Sequence, residues 1–346
     1  MDRDVAIAGP RSPLTDTPSR RPGSIRRTAS IDTVRPAGSD TARTVDARAR
    51  EVFTNPDGTA DTIGTIRLAA RVDPRTYELL AISSDPADRR LDELAGIAVS
   101  SGFRRRLAEV LDGPGDQLSL ALLLLDDLPG AQLVAGYDMV HRRGPGQRRP
   151  DGLALIDVTS RADFCAGWAT DGALLEGFRR TAEIPVPLGP PAPPLEAADD
   201  VDAWHVMTPL PPGGMRRRRR LDLFAADEGL HRFEAYFRDS HRSDSGEETI
   251  LHEYRVTGAV DASARTLVSV HAEARVLPYG ECPNALGSAQ QVVGWSLDEL
   301  RRAVHRQLVG TSSCTHLNDT LRSLADIEVL LDHITDHTTD HTTDQA

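Results

Sequence analysis

Two cysteines and two histidines in the last third of the chain have side chains that could do chemistry. In "GTSSCTHLNDTLRSL" (310–324), Cys314 and His316 stand one residue apart at the start of a leucine-spaced helix, and His252 and Cys282 precede them. Thiolate and neutral imidazole suit zinc and iron-sulfur iron, and a set of two cysteines and two histidines closes a tetrahedral site. The four residues therefore predict a site for Zn or an iron-sulfur cluster, although their spacing is not that of a standard zinc finger.

The position of Cys314 at a helix start allows a second reading. Cys314 precedes Thr315, a suitable N-cap, where unpaired N–H groups and the helix dipole favour a thiolate. Cys314 could then act as a nucleophile or sulfur acceptor, with His252 or His316 as its base. In a third reading the thiols only pack as small hydrophobic groups in a structural interaction protein. The sequence does not decide whether the protein is an enzyme.

Other polar residues carry weaker signals. Asp239 and His241 in "FRDSHRSDSGEE" have the types of an acid/base pair, but a stretch rich in Asp and Ser is typical of a turn. The end "DHITDHTTDHTTDQA" repeats histidine every four residues, and its threonines argue against a stable helix. Cys165 in "DFCAGW" is assigned to packing. No phosphate-binding glycine loop, GxSxG or HExxH motif occurs, so no nucleotide cofactor is predicted.

The overall charge limits the partners. A formal net charge of -12 and a pI of about 5.4 argue against nucleic acid and acidic membranes, which are held by a basic field. All 40 basic residues are arginine. The run "MRRRRR" (215–220) is predicted to open a strand whose alternate arginines face solvent, in preference to a phosphate-binding patch. A protein partner stays possible but unidentified.

Cysteine content and apolar runs bear on localisation. Three cysteines are too few, and odd in number, for a disulfide framework, which favours thiols in a reducing cytoplasm. The N-terminus lacks the apolar core of a secretory signal. The longest apolar run, "LSLALLLL" (118–125), falls short of the ~20 residues that cross a bilayer, and it predicts a buried helix.

Composition divides the chain into five segments. Residues 1–45 are predicted to be a disordered tail because they lack an apolar period. Residues 46–137 and 215–334 are predicted to fold. Residues 138–214 read as a proline-rich linker around a short folded piece, "LALIDVTSRADFCAGWATDGALLEGF". Residues 335–346 are predicted to be a low-complexity tail.

The two folded segments resemble each other. Residues 103–120 align without a gap over 300–317, residues 66–82 align over 254–270, and "EVFTNPDG" aligns over "DLFAADEG". The first copy lacks the ligand types of the second: Gln117 stands for Cys314, Ser119 for His316 and Gly64 for His252, with no counterpart to Cys282. The alignment therefore predicts a duplication in which only the second copy bears a site.

Each copy is predicted to contain strands followed by helices. "LHEYRVTGAVD" and "RTLVSVHAEARVL" are β-branched segments joined by a short turn. Leu317, Leu321, Leu324, Ile327 and Leu331 recur at steps of three and four, which predicts one buried helical stripe. The expected fold class is α+β, with two tandem β-then-α repeats forming an intramolecular pseudo-dimer whose antiparallel sheet carries helices on one face.

Two resemblances follow from these residues. "HEYRVTGAVD", "LPYGECPNA" and "GTSSCTHLNDTLRSLADIEVLL", with "MRRRRRLDLF" and "FRDS" in front, resemble the bacterial family called domain of unknown function 2889, over residues 215–334. That family implies no activity. The order of His252, Cys282 and Cys314 is also similar to iron-sulfur cluster scaffold proteins of the NifU N-terminal type. In that resemblance His252 replaces the first of three cysteine ligands, and His316 follows the third instead of preceding it.

Overall fold

A computed structural model of the chain describes residues 4–6, 8–36, 42–100, 102–111, 116–141, 161–197, 199–226 and 229–343. The strands are β1 (Asp4–Ala6), β2 (Ser24–Val34), β3 (Arg43–Thr54), β4 (Ala60–Val72), β5 (Leu79–Asp85), β6 (Val186–Leu188), β7 (Met215–Ala225), β8 (Leu230–Arg242), β9 (Glu248–Asp261) and β10 (Thr266–Val276). The α-helices are α1 (Phe103–Val110), α2 (Asp116–Val134), α3 (Gly136–His141), α4 (Ala173–Thr181), α5 (Leu297–Gln307), α6 (Thr315–Ser323) and α7 (Ile327–Thr343).

Eight of the strands form one antiparallel sheet, which confirms the α+β class and the antiparallel sheet. Its order is β10-β9-β8-β7-β2-β3-β4-β5. The sheet consists of two meanders, which we call the N-terminal meander (β2–β5) and the C-terminal meander (β7–β10). They join where β2 pairs antiparallel with β7, from Ser24 opposite Phe224 to Thr33 opposite Met215.

The helical side of the sheet holds the main apolar core. The predicted leucine stripe is confirmed, because Leu317, Leu321, Leu324, Ile327 and Leu331 are all buried. A 3-10 turn at residues 324–326 separates α6 from α7 without interrupting the stripe. This stripe fixes α6 against β8 and β9, and the start of α6 therefore lies over the C-terminal meander.

Helix α2 carries the apolar run and lies over β2, β3 and β4, with contacts to β7. Among the described residues, the stretch Ser119–His141 is long and apolar enough to cross a membrane, but 72% of its most apolar window is buried inside the protein, as in a core helix. Gly130 of α2 allows close approach to β7. A Cβ there would lie 2.3 Å from Asp319 Oδ2 and 2.5 Å from Arg217 Nη1.

The prediction of a disordered tail at residues 1–45 is wrong for residues 24–34. These residues form β2, which pairs with both β3 and β7 at the centre of the sheet. Ten of its eleven residues are buried. Both faces of β2 are covered, so its sequence has no alternation of apolar and polar residues that would mark a strand.

The arginines at 216–220 are also not solvated, contrary to the prediction. All five are buried and each forms an ion pair with a carboxylate. Arg217 and Arg219 face the helices, where their guanidinium groups lie 4.9 and 4.8 Å from the ring of Phe237. Arg216 faces the opposite side and pairs with Asp32.

Extended segments of the chain cover that opposite face. Arg238 donates hydrogen bonds to the carbonyl oxygens of Leu14 (2.8 Å) and Pro193 (2.7 Å). His205 lies between Ser30 Oγ (2.8 Å) and Thr28 Oγ1 (2.9 Å). Two parts of the predicted 138–214 linker, around Pro193 and His205, therefore pack on the sheet, whereas residues 142–160 and 198 lie outside the described residues.

The C-terminal prediction needs a correction as well. Residues 335–343 continue α7 instead of forming an irregular tail. The helix begins in the buried leucine stripe and continues through the threonines. The hydroxyl of Thr335 donates to the carbonyl oxygen of Leu331 one turn earlier, which is compatible with a helical backbone. Near its middle, His333 Nδ1 forms a short contact with Glu51 Oε1 in the N-terminal meander.

Candidate metal centre

A row of three polar residues crosses the C-terminal meander. Arg217 of β7 lies opposite Asp239 of β8, and Asp239 lies opposite His252 of β9. Just beyond Asp239 the pairing shifts from His252 to Ile250, so that Leu251 is an extra residue in β9. Such a β-bulge redirects the side chains beside it, and bulges are frequent next to functional sites.

The fourth member of the group comes from α6. Cys314 occupies the N-cap position with an extended backbone, so Thr315, which we predicted as the cap, is instead the first helical residue. His316 consequently projects from the first turn, as predicted. Its ring stacks on His252, with centroids 3.6 Å apart and an interplanar angle of 19°.

Both imidazoles point a nitrogen at one carboxylate oxygen. His252 Nδ1 lies 3.8 Å from Asp239 Oδ2, and His316 Nε2 lies 3.7 Å from the same atom. Both nitrogens are buried, and neither has a hydrogen-bond partner among the described residues. Buried polar atoms are nearly always hydrogen-bonded, so two such nitrogens around one oxygen call for an explanation.

Burial keeps both rings neutral. It lowers the pKa of His316 to about 3, with a further contribution from the positive charge of Arg217. Burial and the adjacent His316 ring lower the pKa of His252 well below its ordinary value. A neutral imidazole offers a lone pair, which is the form that binds a metal ion.

Arg217 fixes the orientation of the carboxylate. Its Nε donates to Asp239 Oδ1 at 2.9 Å and its Nη2 donates to Oδ2 at 3.0 Å. Nη1 donates to Asp319 Oδ2 at 2.8 Å. This two-point contact prevents the carboxylate from rotating and leaves Oδ2 between the two rings.

The two predicted cysteine ligands are placed differently. Cys314 Sγ lies 3.8 Å from Nδ1 of His316, which is the ring nitrogen away from Asp239, and it accepts a hydrogen bond from the Tyr254 hydroxyl at 3.2 Å. Cys282 packs in the apolar core, and a Cβ on Gly167 would come within 2.8 Å of its Sγ. The structure thus brings His252 and His316 together with Asp239 and places both thiols outside that group.

The described surroundings of the two thiols do not make them reactive. Burial raises the pKa of Cys314 to about 12 and also raises that of Cys282. A catalytic cysteine needs a lowered pKa and access to solvent. Cys314 instead lies beside the second ring nitrogen of His316. A metal-binding histidine commonly directs that nitrogen at a hydrogen-bonding group, which fixes the orientation of the ring.

The three residues fit a first-row transition metal. With metal–ligand bonds of about 2.0–2.2 Å, neighbouring ligand atoms in a tetrahedral site lie roughly 3.3–3.6 Å apart. The three ligand atoms here lie within 4.8 Å of one another, and two of the separations are 3.7 and 3.8 Å. Two imidazoles and one carboxylate form a donor set used for both zinc and non-haem iron.

Asp239 is the residue that sequence reasoning assigned to a turn. A signal was present in the sequence, since Phe233, Ala235 and Phe237 alternate and Asp239 and His241 continue that series; all five are buried in β8. An acidic residue in such an inward series is a functional candidate. The suggested pairing of Asp239 with His241 is not found, because His241 Nε2 instead contacts Asp138 at 3.2 Å.

The protein is thus an α+β chain with one buried group of two histidines and a carboxylate among its described residues. Residues 215–330 match the family model described as a protein of unknown function, DUF2889, which supports the resemblance seen in the sequence. The match includes β7 to β10 and all three residues of the group. Neither a curated protein nor a solved structure matches the chain.

Proposed function

We propose that the protein binds one divalent transition-metal ion through Asp239, His252 and His316. The observation that carries this proposal is the pair of buried imidazole nitrogens, without a hydrogen-bond partner among the described residues, directed at one carboxylate oxygen. The bound ion would supply a positive charge and a position for a further ligand. The chain's own residues bind and orient it, with Arg217 holding the carboxylate and Cys314 lying against the second nitrogen of His316.

Zinc and ferrous iron are the ions that this donor set favours. An iron-sulfur cluster, the other cofactor that the sequence predicts, requires thiolate ligands. Cys282 and Cys314 would have to move toward the group to supply them, so the NifU-type alternative has less support than a single ion. A Cys314-dependent enzyme has no support from its buried thiol.

We also propose that the two meanders arose by duplication and form a pseudo-dimer. Arg27, Glu51 and Gly64 lie opposite one another on β2, β3 and β4, as Arg217, Asp239 and His252 do on β7, β8 and β9. The strand pairing shifts by one residue just after Glu51 and just after Asp239, which gives a β-bulge in each meander. The strand order supports the alignment of 66–82 with 254–270. The strand order does not support the alignment of "EVFTNPDG" with "DLFAADEG". That alignment matches β3 with β7, whereas β7 is the first strand of its meander and therefore corresponds to β2.

The setting we propose is an accessory role in the cytoplasm, with a protein partner. All three cysteines are free and buried, which is compatible with a reducing compartment. The acidic charge disfavours nucleic acid as a ligand.

Elemental analysis of the full chain, purified without oxygen, tests the metal proposal. The full chain is needed because residues 333–343 belong to α7 and His333 contacts Glu51. We expect about one Zn or Fe per chain in the wild type and its loss in His252→Ala and His316→Ala. The exposed His305 of α5 provides the matched control, since His305→Ala removes an imidazole outside the group.

A Cys314→Ser variant separates the two possible ligand sets. Retention of the ion, with no thiolate absorption after cobalt substitution, supports the site of two histidines and one carboxylate. Loss of the ion and of a thiolate-to-cobalt band would instead favour the set of two cysteines and two histidines. A folded wild-type protein without metal, or equal metal in all variants, would end the proposal.

A further inference from the structure

The three cysteines of the chain come together in one buried region, although they belong to separate segments. Cys165 lies in the described piece of the predicted linker, Cys282 begins a 3-10 helix at residues 282–292, and Cys314 is the N-cap of α6. Burial raises the pKa of Cys282, and the neighbouring thiols of Cys314 and Cys165 raise it further. Thiols that serve only as small hydrophobic groups can occupy any part of a core. The convergence of all three therefore needs another explanation.

The backbone places Cys165 beside Cys314. The N–H of Ala166 donates to the carbonyl oxygen of Ser313 at 2.9 Å, and these two residues adjoin the two cysteines. Standard bond lengths then keep the cysteine Cα atoms within about 8 Å of each other. Both cysteines have an extended backbone, with φ and ψ of -157° and 173° at Cys165 and of -135° and 130° at Cys314.

The register of that hydrogen bond suits a covalent link between Cys165 and Cys314. In an antiparallel ladder, a bond of this register flanks a non-hydrogen-bonded pair, whose opposite Cα atoms lie about 4.5 Å apart. A disulfide spans Cα separations of about 4.4–6.8 Å. The two cysteines therefore lie where a disulfide requires little movement of the backbone.

The environments of the two thiols agree with this placement. Burial raises the pKa of Cys314 to about 12, and the Cys165 thiol contributes to the rise. Burial also raises the pKa of Cys165, whereas the nearby N–H groups of Gly167 and Trp168, and Thr315 of α6, oppose that rise. The sulfur of Cys165 thus lies near the start of α6, as that of Cys314 does.

We propose that Cys165 and Cys314 form a reversible disulfide bond by exchange with a small disulfide. Cys165 reacts first, because it adjoins Phe164, which is 56% exposed, whereas Cys314 is 4% exposed. The Cys165 sulfur displaces one thiol from the oxidant, and the Cys314 sulfur then displaces the second. Two cysteine thiols are oxidised, and the oxidant is reduced to two thiols, which take up the two protons. A slow, reversible bond of this kind is compatible with a reducing compartment, where disulfides are usually transient or redox-sensing.

Oxidation of this pair would reach the proposed metal site, a consequence that rests on the proposed function. In the reduced protein, Cys314 Sγ lies 3.8 Å from Nδ1 of His316 and accepts a hydrogen bond from the Tyr254 hydroxyl at 3.2 Å. A bond to Cys165 changes both contacts, so the His316 ring loses a support for its orientation. We expect the oxidised protein to bind Zn2+ several-fold more weakly than the reduced protein, and equal affinity would refute this coupling.

Peptide mapping of metal-free, folded, full-length protein tests the bond by itself. The protein is equilibrated with glutathione disulfide, alkylated in denaturant and analysed by mass spectrometry. We expect one intramolecular link, between Cys165 and Cys314, with Cys282 alkylated and the link reversed by dithiothreitol. Cys282→Ser is the matched control and should retain the link, whereas Cys165→Ser should lose it. Because metal is absent, the bond and the metal proposal can fail independently.

The unfolded chain provides the contrasting result. In urea, loop closure favours the pair that is closest in sequence, Cys282 and Cys314, so only the native structure selects Cys165 and Cys314. The link should also raise the unfolding temperature of the wild type by several degrees, because it closes a long loop, and should leave that of Cys165→Ser unchanged. A glutathione adduct without a link, a native link through Cys282, or a lower unfolding temperature of the linked protein would overturn the proposal.

Discussion

The two meanders bury the same kind of ion pair and complete it differently. In the N-terminal meander, Arg27 Nε donates to Glu51 Oε2 at 2.7 Å, and His333 of α7 occupies Oε1. In the C-terminal meander, Asp239 keeps Oδ2 between two imidazoles that lie 3.7 and 3.8 Å away, too far for hydrogen bonds. Both carboxylates therefore pair with an arginine, but only Glu51 also contacts a histidine at hydrogen-bond distance, whereas the two imidazole nitrogens beside Asp239 have no hydrogen-bond partner among the described residues.

Equivalent positions of the two meanders are filled by different residues. In the N-terminal meander Gly64 lies opposite Glu51, and Ser119 of α2 contacts Arg27. In the C-terminal meander His252 lies opposite Asp239, and His316 of α6 contacts Asp239. Although burial alone would raise it, Arg27 and His333 hold the pKa of Glu51 below its ordinary value. We infer that the N-terminal row contributes stability and the C-terminal row contributes binding.

The largest expected effect comes from Glu51→Gln. This change removes the anion that Arg27 and His333 share and leaves Arg27 with Asp326 alone, and breaking a buried pair commonly costs about 3–5 kcal/mol. The free energy of unfolding, measured in urea, should fall by that amount with or without metal. Asp46→Asn is the control, because Asp46 pairs with the exposed Arg67, and surface pairs contribute under about 1 kcal/mol. Equal losses in the two variants would contradict the comparison.

Gly130→Ala tests the contact between α2 and Arg217. The added Cβ would meet Arg217 Nη1 at 2.5 Å and Asp319 Oδ2 at 2.3 Å, so that the helix or the ion pair must shift. We expect a loss of about 1–3 kcal/mol in unfolding free energy, as for other overpacked sites. Weaker metal binding should accompany it, since Arg217 orients Asp239. Unchanged metal affinity would show that this orientation does not depend on α2.

A pair of histidine variants distinguishes the two rows directly. His333→Ala removes a hydrogen bond to a buried carboxylate and should destabilise the protein by about 1–3 kcal/mol regardless of metal. His252→Ala removes an imidazole without such a bond, so metal-free stability should change less, while stabilisation by added metal should disappear. Urea unfolding with and without Zn2+ measures both, and identical behaviour of the two variants would remove the distinction.

Near neutral pH the smallest expected effect comes from His205, whose contribution to stability depends on pH. Burial lowers the pKa of His205 to about 3, against about 6.5 when unfolded, so the unfolded chain binds more protons between these values. The contribution of His205 to the free energy of unfolding is therefore complete above pH 6.5 and falls as the pH decreases toward 3. His205 contributes a slope of up to about 1.4 kcal/mol per pH unit. Metal-free His205→Gln should show a shallower slope than wild type; the same slope would mean that His205 is protonated in the folded state.

The elements that could be predicted from sequence are those with one covered face. The leucine stripe of α6 and α7 shows helical spacing, and β3 alternates buried and exposed residues. Strand β2 was not predicted, and β7 was predicted as a strand but with solvent-exposed arginines. Both errors arise because both faces of each strand are covered, one by helices and one by extended segments. Several of their buried residues are arginines paired with carboxylates that are distant in the sequence, such as Arg27 with Glu51 and Arg219 with Asp127, and no local pattern reveals such pairing.

The residues of the candidate site were also predicted only in part. Comparison of the two aligned segments singled out His252 and His316, since the first segment has Gly64 and Ser119 in their places. It also singled out Cys314 and Cys282, which the structure places outside the group. Asp239 escaped notice because it lies in none of the aligned segments, where Glu51 was matched with Asp222 instead. The Asp- and Ser-rich stretch that follows it favoured a turn.

The junction of β2 and β7 determines what the family-matched stretch can do by itself. Residues 215–330 contain β7 but not its partner β2, nor the extended segments that cover the outer face. A fragment with those bounds would present an unpaired edge strand carrying five arginines cut off from some of their carboxylates. Exposed edges pair with other chains. We therefore expect a fragment with these bounds to stay soluble only where a neighbouring chain completes the sheet.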